Sequence, residues 1–321
     1  MRAVLSLIVA VVGAVVGDIL VWGGGTALSQ SLGSLRHDSA PQVLPSVFMV
    51  LGLLFLAAAM LSAAWSSLGV VIVGIFQIVV GLAIVVLPVA IWARPLTSVE
   101  SISRPVGEGL ERSWASGVGL LTGVVFFVGG IALAARRARP GAAGRAVTTV
   151  IAVLLGAGIV LLLAYGGGRL LVAIQQFRGG IEVLGVVFVL LAAVAVAVVV
   201  AGVRWSSLGP IVLGVLLVAL GAATLWSTSV QRLVVADRAL VLGIGYVGGS
   251  GGYLVLGVLV LVAGIAGLIR GARRRAAESS VELDERIGYR QEQPTDDAPA
   301  WPPFPAERTS PPPDAPPAVR V

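Results

Sequence analysis

Eight stretches of the chain are almost entirely apolar, and polar segments separate them. They lie near residues 3–22, 45–64, 68–93, 117–135, 146–165, 183–203, 208–227 and 250–269. A bilayer core about 30 Å thick is crossed by about 20 helical residues, and each stretch has about that length. Valine-rich runs such as residues 194–200 would suit buried strands, but inside apolar units of this length they favour membrane helices. The pattern predicts an all-α integral membrane protein with eight transmembrane helices.

Composition excludes a soluble globular protein, because 57% of the residues are hydrophobic and only 12% are charged. The chain has no cysteine and one histidine, which excludes disulfides, thiolate nucleophiles and the usual zinc sites. We therefore expect no metal, no cofactor, no catalytic residue and no nucleic-acid partner. All 22 basic residues are arginine, a bias typical of GC-rich, actinobacterial-like genomes.

Arginines flank alternate ends of the apolar stretches. They cluster at Arg2, at residues 136–145, at Arg204 and at residues 270–275. Because cytoplasmic loops carry the excess of basic residues, these ends are expected to face the cytoplasm. The sequence thus predicts a multi-pass plasma-membrane protein with both termini inside. A cleavable signal peptide is the alternative for the first stretch.

The chain matches itself when shifted. A shift of 140 aligns the two Trp-Ser-Ser-Leu-Gly segments at residues 65–69 and 205–209. A shift of 143 aligns Gly23-Gly24-Gly25 with residues 166–168, and a shift of 134 aligns Gly130-Ile131-Ala132 with residues 264–266. This favours retention of the first stretch, because an internal stretch resembles it. We expect two tandem parallel four-helix repeats, residues 1–140 and 141–275, related by an axis along the membrane normal.

Small residues allow close helix packing in a bilayer, where no hydrophobic gain drives helices together. Several glycines have suitable spacing along one helix face, or recur in both repeats, and are therefore predicted packing positions. They are Gly13, Gly17, Gly74, Gly81, Gly119, Gly123, Gly214 and Gly221.

Polar side chains at bilayer depth suggest function because they are costly there. Asp18 and Gln77 are the two candidates, with Leu161 and Leu217 expected at the matching positions of the second repeat. Asp18 could instead lie at the outer interface near Trp22, and Gln77 could serve helix packing.

The repeated Trp-Ser-Ser-Leu-Gly segment is predicted to form a tight cytoplasmic turn in each repeat. Tryptophan suits the membrane interface and serine suits a helix N-cap, although the turn could also be a docking epitope. The residues concerned are Trp65, Ser66, Ser67, Trp205, Ser206 and Ser207.

The outer connections offer weaker candidates. Glu108 and Glu111 are expected in a solvated loop, and His37 is expected to be a lone loop histidine. Residues 230–241 suggest a short amphipathic helix on the outer membrane surface. The Gly-x-Gly-x-x-Gly pattern at residues 243–248 follows no strand, so we interpret it as accidental and not as a phosphate loop.

Composition changes after Arg275. Ten of the 17 prolines fall between Pro294 and Pro317, and the tail carries four arginines against nine acids. Residues 276–321 are predicted to be a disordered, proline-rich cytoplasmic tail with a short helical stub at residues 276–287. Trp301 and Phe304 supply apolar anchors that a cytoplasmic protein partner could bind, the alternative being a solvating tail without a partner.

These features favour a non-enzymatic membrane protein with an interaction or scaffolding role in a membrane or envelope assembly, in contact with the lipid bilayer. The alternative is a permease or carrier for an apolar or lipid-like solute. Transport coupled to ions usually needs several acids in the membrane core, and Asp18 is the sole acidic candidate inside a predicted span.

Overall fold

The computed structural model describes residues 2–33, 43–87, 104–135, 142–176, 181–226 and 237–292, and every regular element in those ranges is helical. Three one-turn elements join longer helices: 3₁₀ turns at Ser62–Ala64 and Gly202–Arg204, and a π-helical turn at Ile244–Gly248. The α-helices are α1 (Arg2–Gly33), α2 (Val43–Leu61), α3 (Leu68–Val86), α4 (Arg104–Ala115), α5 (Val118–Ala134), α6 (Ala142–Gln175), α7 (Val183–Ala201), α8 (Leu208–Trp226), α9 (Arg238–Gly243) and α10 (Gly252–Glu292).

Seven helices in the described ranges are long and apolar enough to cross a membrane. An eighth crossing arises if the bent pair of α4 and α5, whose axes differ by 71°, counts as one span. The chain is therefore a polytopic helical membrane protein, as predicted, and each predicted apolar stretch overlaps one of its helices.

Helices α1 and α6 extend well beyond the apolar stretches predicted at residues 3–22 and 146–165. The glycine triplets at residues 23–25 and 166–168 lie inside these helices. A Cβ added at Gly24 would lie 2.8 Å from the Pro45 carbonyl oxygen and 2.7 Å from the Met49 amide nitrogen. These glycines continue α1 and α6 because close contact with a neighbouring backbone requires the smallest residue.

The short helices α4 and α9 occupy regions where the sequence predicts outer loops. Each is followed by a glycine with positive φ, Gly117 and Gly251, both at 86°, which lets the chain turn into the next long helix. The prediction of a solvated loop around Glu108 is wrong, since this residue lies in α4 with a largely buried side chain.

The predicted surface helix at residues 230–241 falls only partly within the described residues. Residues 227–236 lie outside the described part of the chain, and α9 begins at Arg238. Asp237 caps α9 by accepting a hydrogen bond from the Ala239 amide at 2.8 Å. Ala239 is 8% exposed, and α9 packs against α6.

Glycine contacts within residues 1–140, the first half, have counterparts within residues 141–275, the second half. A Cβ at Gly123 would lie 2.7 Å from the Ile78 amide nitrogen, and one at Gly257 would lie 2.5 Å from that of Val218. The glycines differ by 134 in number and their partners by 140, as in the sequence shifts. Further pairs of this kind are Gly74–Phe127 with Gly214–Leu261, Gly81–Leu120 with Gly221–Leu254, and Gly130–Val71 with Gly264–Ile211.

Contacts between the halves are reciprocal. Gly25, in the first half, lies against the carbonyl oxygen of Ser250 in the second half. Gly167, in the second half, lies against the carbonyl oxygen of Ser116 in the first half. The subtractions 167 − 25 = 142 and 250 − 116 = 134 show that each contact is the counterpart of the other. Gly117–Val189 and Gly251–Met49 form a second such pair. Reciprocal contacts of this kind are typical of a two-fold interface.

Two compact units divide the chain, residues 1–275 and residues 276–321. Helix α10 is described as far as Glu292, so the predicted helical stub at residues 276–287 is helical. Residues 293–321, with the predicted partner motif Trp301 and Phe304, lie outside the described residues.

Candidate functional site

Asp18 and Gln77, the two intramembrane polar candidates, form a pair. The Gln77 side-chain amide donates a hydrogen bond of 2.9 Å to Asp18 Oδ2. Asp18 is 8% exposed and Gln77 is 3% exposed. Helix α1 brings the carboxylate to this position and α3 brings the amide, while Gly123 on α5 leaves room for the Gln77 stem, since a Cβ there would lie 2.8 Å from Gln77 Cβ.

Asp18 lies near the middle of α1, not at its outer end. Sixteen residues separate it from Arg2 and fifteen from Gly33 (18 − 2 and 33 − 18), so it lies roughly 24 Å along the helix. Trp22, the expected interfacial anchor, is fully buried. The carboxylate therefore lies in the interior of the helix bundle.

The polar pair continues into a row along one face of α1, formed by Asp18, Trp22, Thr26 and Gln30. Their spacing of four residues places them one above another on the helix. At the end of the row, Gln30 Nε2 donates a hydrogen bond of 2.9 Å to Glu108 Oε2 on α4. The row thus extends from the middle of α1 towards its C-terminal end, and the four-residue spacing is the sequence signal that could have revealed it.

Several buried atoms of this row have no hydrogen-bond partner among the described residues. They are Gln77 Oε1 and Thr26 Oγ1, together with Ser113 Oγ on α4, whereas the side chains of Asp18 and Trp22 interact with each other. The amide oxygen is a pure acceptor and the two hydroxyls can donate or accept, so a small polar ligand or a water molecule could satisfy all three. Unsatisfied buried polar atoms are expensive, which makes the row the strongest candidate site inside the bundle.

The second half lacks this polar pair. The Ser6 carbonyl oxygen lies next to Gly69, and the Thr148 carbonyl oxygen lies next to the equivalent Gly209. Positions in α1 and α6 therefore match at a difference of 148 − 6 = 142. The counterpart of Asp18 is therefore Val160 and not Leu161, whereas Leu217 does match Gln77. A different polar contact lies there: the hydroxyl of the buried Tyr253 donates to the Val160 carbonyl oxygen at 3.4 Å.

A polar cavity of about 240 Å³ lies between the halves near the end of the row. Glu108 and Arg112 of α4 form an ion pair at 3.1 Å along one side. The Arg112 guanidinium lies 5.6 Å from the ring centroid of Tyr246, whose hydroxyl accepts a hydrogen bond of 3.1 Å from Gln175. The cavity offers both charges and an aromatic ring to a small polar molecule.

In the repeated turns, Ser206 Oγ accepts a hydrogen bond from the Leu208 amide at 3.2 Å, and Ser67 makes no side-chain cap on α3. Trp65 and Trp205 are 56% and 52% exposed, which suits interfacial anchors. Ser66 and Ser207 contribute backbone carbonyl oxygens, which accept from Ser6 Oγ and from the Ile211 amide, respectively.

The two predicted Gly-x-x-x-Gly motifs behave differently. Both glycines of the first motif face α2, since a Cβ at Gly13 would lie 2.8 Å from the Phe55 carbonyl oxygen and one at Gly17 would lie 2.7 Å from Leu56 Cγ. In the second motif, Gly119 faces the Trp114 ring of α4 and Gly123 faces α3. Only in the first motif, therefore, do both glycines pack against the same neighbouring helix.

Metal and phosphate chemistry find no support in the part of the chain that the structure describes. No group of three histidine, cysteine or acidic side chains is placed to hold a metal ion there. The Gly-x-Gly-x-x-Gly pattern forms the last residue of α9 and the π-helical turn, and Gly243 packs against the Ala164 carbonyl oxygen of α6.

Comparison with known proteins leaves the chain to be interpreted from its own geometry: no protein-family model, no curated protein and no solved structure matches it.

Proposed function

We propose that this protein is a non-enzymatic, multi-pass plasma-membrane protein with an interaction or scaffolding role in a membrane or envelope assembly. The close, reciprocal contact between its halves is the observation that carries this proposal. Gly25 and Gly167 each lie against a backbone carbonyl oxygen of the opposite half. Close contact of this kind between the halves favours a platform over a carrier whose halves must separate.

The proposed architecture is two tandem parallel repeats related by a pseudo-two-fold axis along the membrane normal. Four matched glycine contacts within the halves and two reciprocal pairs between them support this relation. Arg112 and its counterpart Tyr246 contact each other, which is expected of equivalent residues next to such an axis. Each repeat then contains a short fifth helix, α4 or α9, beyond the four that the sequence predicts.

The proposed orientation places both termini in the cytoplasm. Arg145 and Arg204 lie at one end of the second half, together with the run Arg270–Arg275 at the end of the last crossing. The excess of basic residues on cytoplasmic loops supports this arrangement.

A disulfide across the halves tests the scaffold proposal. The built Cβ of Gly249 lies 3.9 Å from Ser29 Cβ, close to the mean separation of about 3.8 Å in disulfides. The chain has no other cysteine, so a chain with Ser29→Cys and Gly249→Cys should form this single bond on oxidation. We expect the oxidised chain to complement a deletion strain as well as the reduced chain does, because a platform does not need its halves to move apart.

Each single-cysteine chain is the control for this experiment. Loss of complementation that appears only when both cysteines are present and the bond is formed would contradict a rigid platform. That result would favour the alternative, a carrier for an apolar or lipid-like solute. The polar row from the buried Asp18 to the exposed Gln30 is the observation that supports the carrier.

The cytoplasmic tail is the proposed partner-binding segment. Its proline-rich sequence cannot form a packed core, and Trp301 and Phe304 are apolar anchors of the kind that recognition domains bind. A chain that ends at Glu292 keeps all of α10. We expect this chain to insert and to melt like the full chain, but to lose any cytoplasmic partner that chemical crosslinking recovers.

Retention of the same partners by the shortened chain would transfer the interaction surface to the membrane unit. A full chain with Trp301→Ala and Phe304→Ala is the matched variant, because it keeps the length and charge of the tail. If the shortened chain loses its partners but the Trp301→Ala, Phe304→Ala chain keeps them, the two aromatic residues are not the ones that the partner recognises.

A further inference from the structure

An apolar groove lies between α1 and α2 at the end of the bundle that carries the arginines. It encloses about 340 Å³ and is lined by Leu5, Val9, Ala58, Leu61 and Trp65, together with two serines. An α-helix with its side chains is about 10–12 Å across. A volume of about 340 Å³ would hold less than one turn of such a helix. A single hydrocarbon chain is narrow enough to enter it.

The two serines do not make the groove polar. Ser6 Oγ donates a hydrogen bond of 2.8 Å to the Ser66 carbonyl oxygen. Ser62 Oγ donates one of 2.7 Å to the Ala59 carbonyl oxygen. Since both hydroxyl protons are already used inside the protein, the groove favours an apolar occupant.

A cation lies at the mouth of the groove. Trp65 lines the groove, and the Arg273 guanidinium of α10 lies 5.2 Å from the centroid of its ring. Arg270, one turn earlier, donates a hydrogen bond of 3.2 Å to the Ala63 carbonyl oxygen and so fixes α10 beside this turn. The guanidinium fork of Arg273 suits a phosphate oxygen pair.

Among the described residues, the second half shows a different arrangement around Trp205. The counterpart of Ala58 is Val198, which is larger, as the numbering difference of 140 shows. The arginine over Trp205 comes from its own turn, with the Arg204 guanidinium 5.8 Å from the ring centroid. Arg139, which matches Arg273 at a difference of 134, lies outside the described residues.

We propose that the groove between α1 and α2 binds one anionic phospholipid, with an acyl chain along Leu5, Val9 and Ala58 and the headgroup phosphate against Arg273. The apolar lining explains the chain, and the arginine at the same mouth explains the preference for a negative headgroup. The site is independent of the scaffold or carrier role of the protein.

Titration of the purified full chain with lipid tests this site. Phosphatidylglycerol and phosphatidylcholine are added separately in mixed micelles, and native mass spectrometry counts the lipids that stay bound. We expect one phosphatidylglycerol to remain under conditions that remove phosphatidylcholine. Arg273→Gln should weaken its binding about fivefold, which is the contribution of one arginine near an anionic headgroup.

Arg204→Gln is the matched control, because it removes the same charge from the equivalent tryptophan without touching the groove. This variant should bind phosphatidylglycerol like the parent chain. Ala58→Leu fills the groove and should abolish retention of the lipid while the chain still melts as one unit. If that variant does not fold, the comparison of Arg273→Gln with Arg204→Gln decides alone.

Three results would overturn the proposal. Equal retention of phosphatidylcholine would show that charge plays no part. Equal effects of Arg273→Gln and Arg204→Gln would show a general surface attraction and no built site. A change from dimer to monomer in Ala58→Leu, without any change in lipid retention, would assign the groove to a helix of a second copy.

Discussion

Leucine at Gly74 or Gly214 is expected to prevent normal assembly of the helix bundle. A Cβ at either position would lie 2.7 Å from the backbone Cα of its neighbour, Phe127 on α5 or Leu261 on α10. A backbone atom cannot move aside as a flexible side chain can, so α3 must separate from α5, or α8 from α10. Overpacking of this kind should cost at least about 3 kcal/mol, and the melting temperature in detergent should fall by about 6–12 °C.

Gly158 provides the control for this prediction. It lies in α6, and a Cβ there would meet no heavy atom within 4 Å. Gly158→Leu should therefore melt at or above the temperature of the parent chain, because removing a glycine from a helix interior also favours the helix. Equal melting temperatures for Gly74→Leu, Gly158→Leu and the parent would show that the repeated glycine face is not a contact.

Asp18→Val is expected to destabilise the chain, and the second substitution Gln77→Leu is expected to restore stability. Valine leaves the buried Gln77 amide without its acceptor, which should cost about 1–3 kcal/mol. The double variant reproduces the apolar pair Val160 and Leu217 of the second half, which occupies the equivalent space. The four melting temperatures form a double-mutant cycle, and coupling of the two sites should appear as a double variant more stable than Asp18→Val.

Complementation by the double variant separates structure from function. A stable double variant that also complements a deletion strain would make the polar pair a packing device, as the scaffold role implies. A stable double variant that fails to complement would assign a function to Asp18 and Gln77, and would favour the carrier. Additive losses of stability would contradict the hydrogen bond between them as a contributor to folding.

Hydropathy predicted the long helices because length and apolar content suffice to identify a membrane crossing. The same signal could not find α4. Its twelve residues include Glu108, Glu111 and Arg112, so its composition is that of a loop. Glu108 pairs with Arg112 one turn later and also accepts a hydrogen bond from Gln30 of α1, and this second contact depends on tertiary packing.

Register was a second limit of the sequence. In the first stretch, glycine identities favour a shift of 143, whereas the contacts of Gly24 with Met49 and of Gly166 with Val189 give 142. One residue on an α-helix is a rotation of about 100°, which exchanges one face for another. Because glycine and valine are frequent, the shift of 143 gives many identities by chance. Only tertiary contacts show which helix faces correspond.

The polar pair shows a third limit. Asp18 and Gln77 are 59 positions apart and lie on different helices. Periodicity can assign each residue to a helix, but the rotation of each helix about its axis is set by packing. The sequence therefore identified both residues without predicting that they meet.

The reciprocal contacts between the halves have a consequence for how the molecule could diverge. Two separate subunits with these surfaces would form a homodimer, and every substitution would appear twice around its axis. Joined in one chain, the halves meet at a high effective concentration, so partnering survives changes that only one half carries. Covalent linkage thus permits a single buried carboxylate where a homodimer would have to bury two, and it lets one half keep an apolar interior while the other holds the polar row.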